Sequence, residues 1–262
     1  MRIHHIAIVV RSLQEARKTY RRMGMDSTRE VRTQEKYPGD TAPHAYLGQG
    51  FFDPKQGFPV FWAMQPLGRT GPLARFLAQR GPGFHHVGLL CTGLARAKLP
   101  FVRRPHFFRT DREIRALLDP SRTGGMLIEL LERKFAARPD GLPPFCLSAA
   151  DHVGVRVGRL APFDRFFRFL GFTPEAVGED SEFRMARYRL RGFHVALFEP
   201  KKPSSAVGFD HVALPLEGMD VDQVLRALRR FKIPFRGPYR LPGETSIKVF
   251  DPSGGEWELL VR

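Results

Sequence analysis

The sequence predicts an α+β fold, with mostly antiparallel sheets and helices on their outer side, built from one strand-and-helix unit used four times. Three observations predict it. First, a histidine followed by a small and aliphatic run recurs: His4-His5-Ile6-Ala7-Ile8-Val9-Val10, His85-His86-Val87-Gly88-Leu89-Leu90, Asp151-His152-Val153-Gly154-Val155-Arg156-Val157 and Asp210-His211-Val212-Ala213-Leu214. Such runs are strand chemistry. Second, each copy opens a unit of roughly 50 to 80 residues that closes on another apolar run. The closing runs are Val60 to Pro66, Met126 to Leu131, His194 to Pro200 and Glu256 to Val261. Third, the second and fourth units alone place an acid in mid-strand after a turn, Asp119-Pro120-Ser121-Arg122-Thr123-Gly124-Gly125 and Asp251-Pro252-Ser253-Gly254-Gly255. The chain is therefore a pair of pairs, each with two strand-opening histidines and one late glutamate.

Unit one begins with a strand over about residues 2 to 10. Ser12 and Glu15 have capping-box spacing, and Leu13, Ala16 and Tyr20 share one face of a helix through Arg22, with Gly24 as its stop. Strand-like pieces follow near Glu30–Arg32, His44–Leu47 and Phe58–Met64. Gly71 to Gly81 reads as a connecting amphipathic helix with Leu73, Phe76 and Leu77 inward. Unit two runs from His85 to about Glu132, with a helix near Leu94–Val102 that Pro100 interrupts. The segment Arg138-Pro139-Asp140-Gly141-Leu142-Pro143-Pro144 has turn and extended chemistry. It sets the predicted domains as residues 1–134 and 150–262, joined by a linker over 135–149.

Unit three has a helix over Pro162–Leu170 that buries Phe163, Phe166, Phe167 and Leu170, then strands over Glu182–Leu190 and Phe193–Phe198. In unit four Asp220 caps a helix through Phe231, with Val221, Val224, Leu225 and Leu228 inward, before strands near Ser246–Phe250 and Glu256–Val261.

With 262 residues, 42% hydrophobic and 11% aromatic, the chain can build real cores. It has no apolar run near twenty residues, which argues against a membrane-spanning helix. Met1-Arg2-Ile3 leads straight into the first strand, so no secretory signal is expected. Cys91 and Cys146 lack any metal or redox spacing and read as buried free thiols in a reducing cytoplasm. The net charge of +15 comes from 42 Lys+Arg against 27 Asp+Glu. An acidic partner or anionic substrate would suit it. Arg165, Arg168, Arg226, Arg229 and Arg230, however, lie between the apolar positions of helices, which makes them solvated faces first. No nucleic-acid-binding motif supports a nucleic-acid partner.

Alternate residues of a strand face the same way. His5 thus shares a face with Ala7 and Val9, and His86 with Gly88, whose small side chains leave room. Glu129 stands between Leu127 and Leu131 on its face and Glu258 between Glu256 and Leu260, on otherwise apolar strands where an unpaired buried carboxylate is costly. A single inward histidine or glutamate is ordinarily a hydrogen-bonded core residue. Here the same types recur at the same stations in both halves. Two histidines and a carboxylate from three strands form a facial set suited to Fe(II), Mn(II), Ni(II) or Zn(II).

The opening HHIAIVV, the closing LIELLE and GEWELLV, and the DPSGG turn resemble the vicinal oxygen chelate superfamily, which includes glyoxalase I, methylmalonyl-CoA epimerase, bleomycin-resistance proteins and extradiol dioxygenases. The resemblance covers nearly the whole chain and implies four βαβββ modules paired into two cup-shaped sheets. It implies metal ligands at His5, His86 and Glu129, and at His152, His211 and Glu258. The expected ion is Fe(II) or Mn(II), with zinc, nickel and cobalt as alternatives.

The N-terminal half, through GPLARFLAQRGPGFHHVG, resembles the epimerase and glyoxalase-like branch, whose fourth ligand falls here on Trp62. The matching position in the C-terminal half is Ala196. A three-ligand set resembles that of the extradiol dioxygenases, and His194 matches their acid/base histidine, while Lys248 replaces their late tyrosine. The resemblance thus implies a metal-dependent enzyme acting by dioxygenase-like ring cleavage on a small substrate chelated through vicinal oxygens; the charge adds an anionic substrate, the cysteines a cytoplasmic location, and a homodimer is a candidate assembly. The alternatives are a lyase or isomerase working through a metal-stabilised enolate, and a non-catalytic small-molecule binding protein of the bleomycin-resistance type.

Overall fold

In the computed structural model the described residues are 2–22, 25–35, 44–53, 58–91, 94, 106–109, 113–118, 127–133, 151–190, 193–202, 207–216, 218–241, 243–250 and 256–262. Module one comprises β1 (Arg2–Val9), α1 (Leu13–Arg22), β2 (Asp26–Ser27), β3 (Val31–Glu35), β4 (His44–Asp53) and β5 (Phe58–Pro66). The connecting helix α2 (Pro72–Arg80) leads to module two, with β6 (Gly83–Leu90), β7 (His106–Arg109), β8 (Glu113–Leu118) and β9 (Leu127–Arg133). Module three holds β10 (His152–Arg156), α3 (Ala161–Phe169), β11 (Thr173–Glu179), β12 (Phe183–Leu190) and β13 (Phe193–Pro200). Module four holds β14 (Gly208–Leu216), α4 (Val221–Arg230), β15 (Phe235–Leu241), β16 (Glu244–Phe250) and β17 (Glu256–Val261).

Two cup-shaped sheets result. The first runs β2-β4-β5-β1-β6-β9-β8-β7, with β3 also on β4; the second runs β11-β12-β13-β10-β14-β17-β16-β15. Within each module the closing strand lies parallel to the opening one, as β1 with β5, β6 with β9, β10 with β13 and β14 with β17. The remaining pairings are antiparallel, so the sheets are mixed but mostly antiparallel. The two opening strands of each half pair antiparallel at the sheet centre. The histidine-bearing strands are therefore neighbours, and the glutamate-bearing strands β9 and β17 flank them.

Capping residues set the helix starts as the spacing predicts. The Glu15 amide donates to Ser12 Oγ at 3.3 Å, and Asp220 forms a reciprocal capping box with Gln223. Phe163, Phe166, Phe167 and Leu170 are buried, while Arg168, Arg226, Arg229 and Arg230 are exposed. The predicted helix near 94–102 lies outside the described residues except for Leu94, as does the predicted linker over 135–149. Cys91 is half-buried rather than buried; burial, aided by Glu132, pushes its thiol up to about 11. Cys146 lies outside the described residues. Among the described residues no helix is long and apolar enough to cross a membrane.

The outer faces of both sheets and their helices share one core. Trp257, fully buried on β17, touches Tyr20 of α1, Phe61 of β5 and Phe84 of β6, with ring centroids 5.9, 4.9 and 5.4 Å apart. On the inner face of the first sheet a second cluster gathers Ala7, Val9, Tyr46 and Met64 under Leu73 of α2, with Trp62, Phe76 and Leu77 packed alongside. Helix α2 thus covers the inner face of β1 and β5. Among the described residues the second sheet has no counterpart of this helix.

Candidate metal centres

Strand register brings each predicted triad together. In the first sheet Gly88 pairs with His5 on one side and Glu129 on the other, while His86 stands opposite Ala7. In the second, Ala213 pairs with His152 and Glu258, and His211 stands opposite Gly154. The small residues give the rings their space. A Cβ at Gly88 would lie 2.4 Å from the His5 ring, and one at Gly154 would lie 2.3 Å from the His211 ring.

The C-terminal triad is compact. His152 Nε2 and His211 Nε2 are 3.0 Å apart, and Glu258 Oε2 is 3.3 and 3.1 Å from them. Asp151 accepts from His152 Nδ1 at 2.9 Å, and Asp210 from His211 Nδ1 at 3.0 Å. A carboxylate can only accept, so both rings carry a proton on Nδ1 and, when neutral, turn Nε2 lone pairs toward one point. The other Glu258 oxygen accepts from Ser246 Oγ and faces Lys248 Nζ at 3.4 Å.

Three acceptors converging on one point call for a cation. Ligand atoms at about 2.1 Å from an ion stand about 3.0 Å apart on an octahedron and about 3.4 Å on a tetrahedron. The separations in this triad fall in that interval, so the donor set fits a divalent metal.

The surroundings favour positive charge at this point, carried by a proton on His211 where no ion stands. Burial opposes charge on His211, but hydrogen bonds with Asp210 and Glu258 outweigh it and hold the imidazole above its ordinary value. Burial also opposes charge on Glu258, yet bonds from His152 and His211 hold its carboxyl far below the usual range. The bond to His152 does the same for Asp151.

The N-terminal triad is looser. His5 Nε2 and His86 Nε2 are 2.9 Å apart, but Glu129 stands back at 3.7 and 3.8 Å, with its other oxygen 3.4 Å from Arg115. The residues behind these rings are His4 and His85, whose Nδ1 atoms lie 2.9 and 2.8 Å from Nδ1 of His5 and His86. Burial, then the neighbouring His5, His85 and Arg115, holds His86 well below its ordinary value. Trp62 occupies the matched fourth position; it pairs with Ala7 and lies across Gly48, where a Cβ would meet its ring at 2.6 Å. Ala196 occupies the other, paired with Gly154. Neither half offers a fourth donor there.

His194 joins neither triad, but it stands in register with His152 on the next strand. Its Nδ1 lies 2.9 Å from Arg187 Nη2 and 3.1 Å from the Asp151 carbonyl oxygen, and its Nε2–H donates to Glu175, 3.2 Å away. Arg187 also donates to Asp151 at 3.0 Å. Glu175, His194, Arg187, Asp151 and His152 therefore form one continuous polar chain.

Two sequence models described as the Glyoxalase/Bleomycin resistance protein/Dioxygenase superfamily match residues 4–99 and 149–259. The chain belongs to this superfamily. The uncharacterized protein YqjC of Bacillus subtilis (strain 168) is 28% identical over 142 residues, which span 51% of this chain and 93% of YqjC. A mutant of 4-hydroxymandelate synthase from Streptomyces coelicolor aligns over all of this chain and 92% of its own, with a TM-score of 0.59 and 16% identity. The 2,3-dioxygenase LapB from Pseudomonas sp. KL28 aligns over the same shares, with a TM-score of 0.57 and 18% identity. These structural likenesses show that the fold of those two proteins extends over the whole of this chain.

The outer partners Asp151, Asp210, Ser246 and Arg187 are the candidate-site residues that sequence reasoning passes over. The Asp-His dipeptide that opens the third and fourth repeats is the signal that could have found two of them.

Proposed function

We propose that the chain is a metal-dependent enzyme whose working centre is His152, His211 and Glu258. It would hold Fe(II) or Mn(II) and act by dioxygenase-like ring cleavage on a small anionic substrate chelated through vicinal oxygens. The observation that carries this reading is the compact three-donor set with no fourth protein donor at Ala196. When bound, the ion supplies open positions for substrate oxygens and the redox or Lewis-acid chemistry. The chain's own residues do the rest. Asp151 and Asp210 orient the ligand rings. Lys248, Arg187 and Arg189 face the inner side and favour an anionic substrate. His194, with Nε2–H on Glu175, can give or take a proton. Phe198, 5.6 Å from the His211 ring, adds an apolar wall.

Metal analysis of protein purified anaerobically without chelator tests this, followed by a catechol screen on wild type, Glu258→Ala and His194→Gln. The expected result is near-stoichiometric iron or manganese, lost in Glu258→Ala and kept in His194→Gln, with turnover lost in both. Nickel, cobalt or zinc, with activity on acyl-CoA or 2-oxoaldehyde adducts, would replace ring cleavage by lyase or isomerase chemistry. Unchanged metal content in both Glu258→Ala and Glu129→Ala would remove the metal centre itself.

A further inference from the structure

We infer that the residue immediately before each ligand histidine decides which half holds metal. Asp151 and Asp210 make the C-terminal centre the tight site; His4 and His85 make the N-terminal centre a weak one that loads second. This inference rests on the reading of the two His/Glu sets as metal centres.

The four residues occupy equivalent stations. Each lies one position before its ligand, on β1, β6, β14 or just ahead of β10, and each reaches that ligand's Nδ1 at 2.8 to 3.0 Å. They differ in what they can do there. A carboxylate only accepts, so it fixes Nδ1–H and leaves Nε2 free for an ion. It also raises the basicity of that nitrogen. An imidazole can equally donate. When His4 donates to His5 Nδ1, the proton of a neutral His5 sits on Nε2, which points at His86 Nε2 only 2.9 Å away. That tautomer cannot ligate, and metal binding must first displace it. His85 can do the same to His86, in one pair at a time, because two Nε2–H groups cannot face each other across 2.9 Å.

Net charge does not explain the difference. Three carboxylates near the C-terminal centre are balanced by Arg156, Arg187, Arg262 and Lys248, and Glu129 is balanced by Arg115. The distinction therefore lies at the ligand nitrogens and in the donor spacing. Spacing points the same way, since Glu129 stands about half an ångström farther from its histidines than Glu258 does.

Loss of one outer carboxylate typically weakens a metal site 10- to 100-fold. The halves should then differ by about 100-fold or more. Titration of metal-stripped protein with Mn²⁺ by calorimetry, and with Co²⁺ by absorption, reads both sites without reference to turnover. Wild type is expected to show one tight site and one at least about 100-fold weaker. The Glu258→Ala variant should lose the tight one and Glu129→Ala the weak one. The double variant His4→Asp, His85→Asp should tighten the second site about 10-fold or more, while Asp151→Asn, Asp210→Asn weakens the first. Two equal sites in wild type, or a second site unmoved by the aspartates, would overturn the inference while leaving the metal reading intact. If neither glutamate variant changes binding, both fail together.

Discussion

Replacing Gly154 by alanine is a sharp test of the C-terminal centre. Gly154 has an extended backbone that accepts a side chain, so the substitution acts through one contact. The added Cβ would sit 2.3 Å from His211 Cε1, 2.6 Å from Nδ1 and 2.7 Å from Nε2. Ordinary contact begins at 3.4 Å, so the ring must move by about 1.1 Å. Metal–ligand distances tolerate about 0.2 Å. The displaced Nε2 is therefore out of reach, and Mn²⁺ affinity should fall by about 100-fold or more. Overpacking should also lower stability by about 1–3 kcal/mol, seen as a modest drop in melting temperature with an unchanged far-ultraviolet spectrum. Gly88→Ala is the matched control. It pushes on His5 from 2.4 Å and should leave the tight site unaltered. Calorimetry and metal analysis after gel filtration read both variants. Wild-type affinity in a folded Gly154→Ala protein would refute the reasoning, as would loss of the tight site in Gly88→Ala.

Other perturbations probe the frame. Trp257→Ala removes a fully buried side chain that joins β17 to α1, β5 and β6, and should cost about 3–5 kcal/mol in denaturant unfolding. Burial, then Arg80, pushes His85 down to about 4 from 6.5, so the unfolded chain binds this proton first. Its contribution is intact above pH 6.5 and is lost as pH falls toward 4. This one group should lower stability by about 2 kcal/mol at pH 5 relative to pH 7, a share that His85→Gln removes. Asp220→Ala removes the cap of α4 and should cost about 1 kcal/mol by the same unfolding measurement.

The recurrence of His5, His86, His152 and His211 at one station of four strands, with Glu129 and Glu258 at one station of two, was legible because strand alternation has a fixed period. Register then converts equal stations into spatial neighbours. The space left by Gly88 was legible for the same reason. The roles of Asp151 and Asp210 were not, because the residue before an inward histidine is nominally on the other face. Its return to Nδ1 depends on local backbone shape, and the β10–β14 register shifts beside Gly154. Strands β11 and β15 escaped the hydrophobic pattern because they are sheet edges. Val177 on β11 is 82% exposed, β15 is polar and carries Pro238, and edges are built this way against unwanted pairing. The apolar face of α2 was readable from Leu73, Phe76 and Leu77, but its destination is a tertiary fact.

That destination makes α2 a permanent guest of the first cup. The helix is joined to β5 by residues 67–71 and to β6 by residues 81–82. Short tethers of this kind hold a group at an effective concentration in the millimolar range. Any diffusing molecule that sought the inner face of β1 and β5 would have to outcompete a tethered occupant. It would also have to strip Leu73 from Ala7, Val9, Tyr46 and Met64. The β1 and β5 side of the first cup is thus filled by its own helix, while His86 and Glu129 stand on the neighbouring β6 and β9.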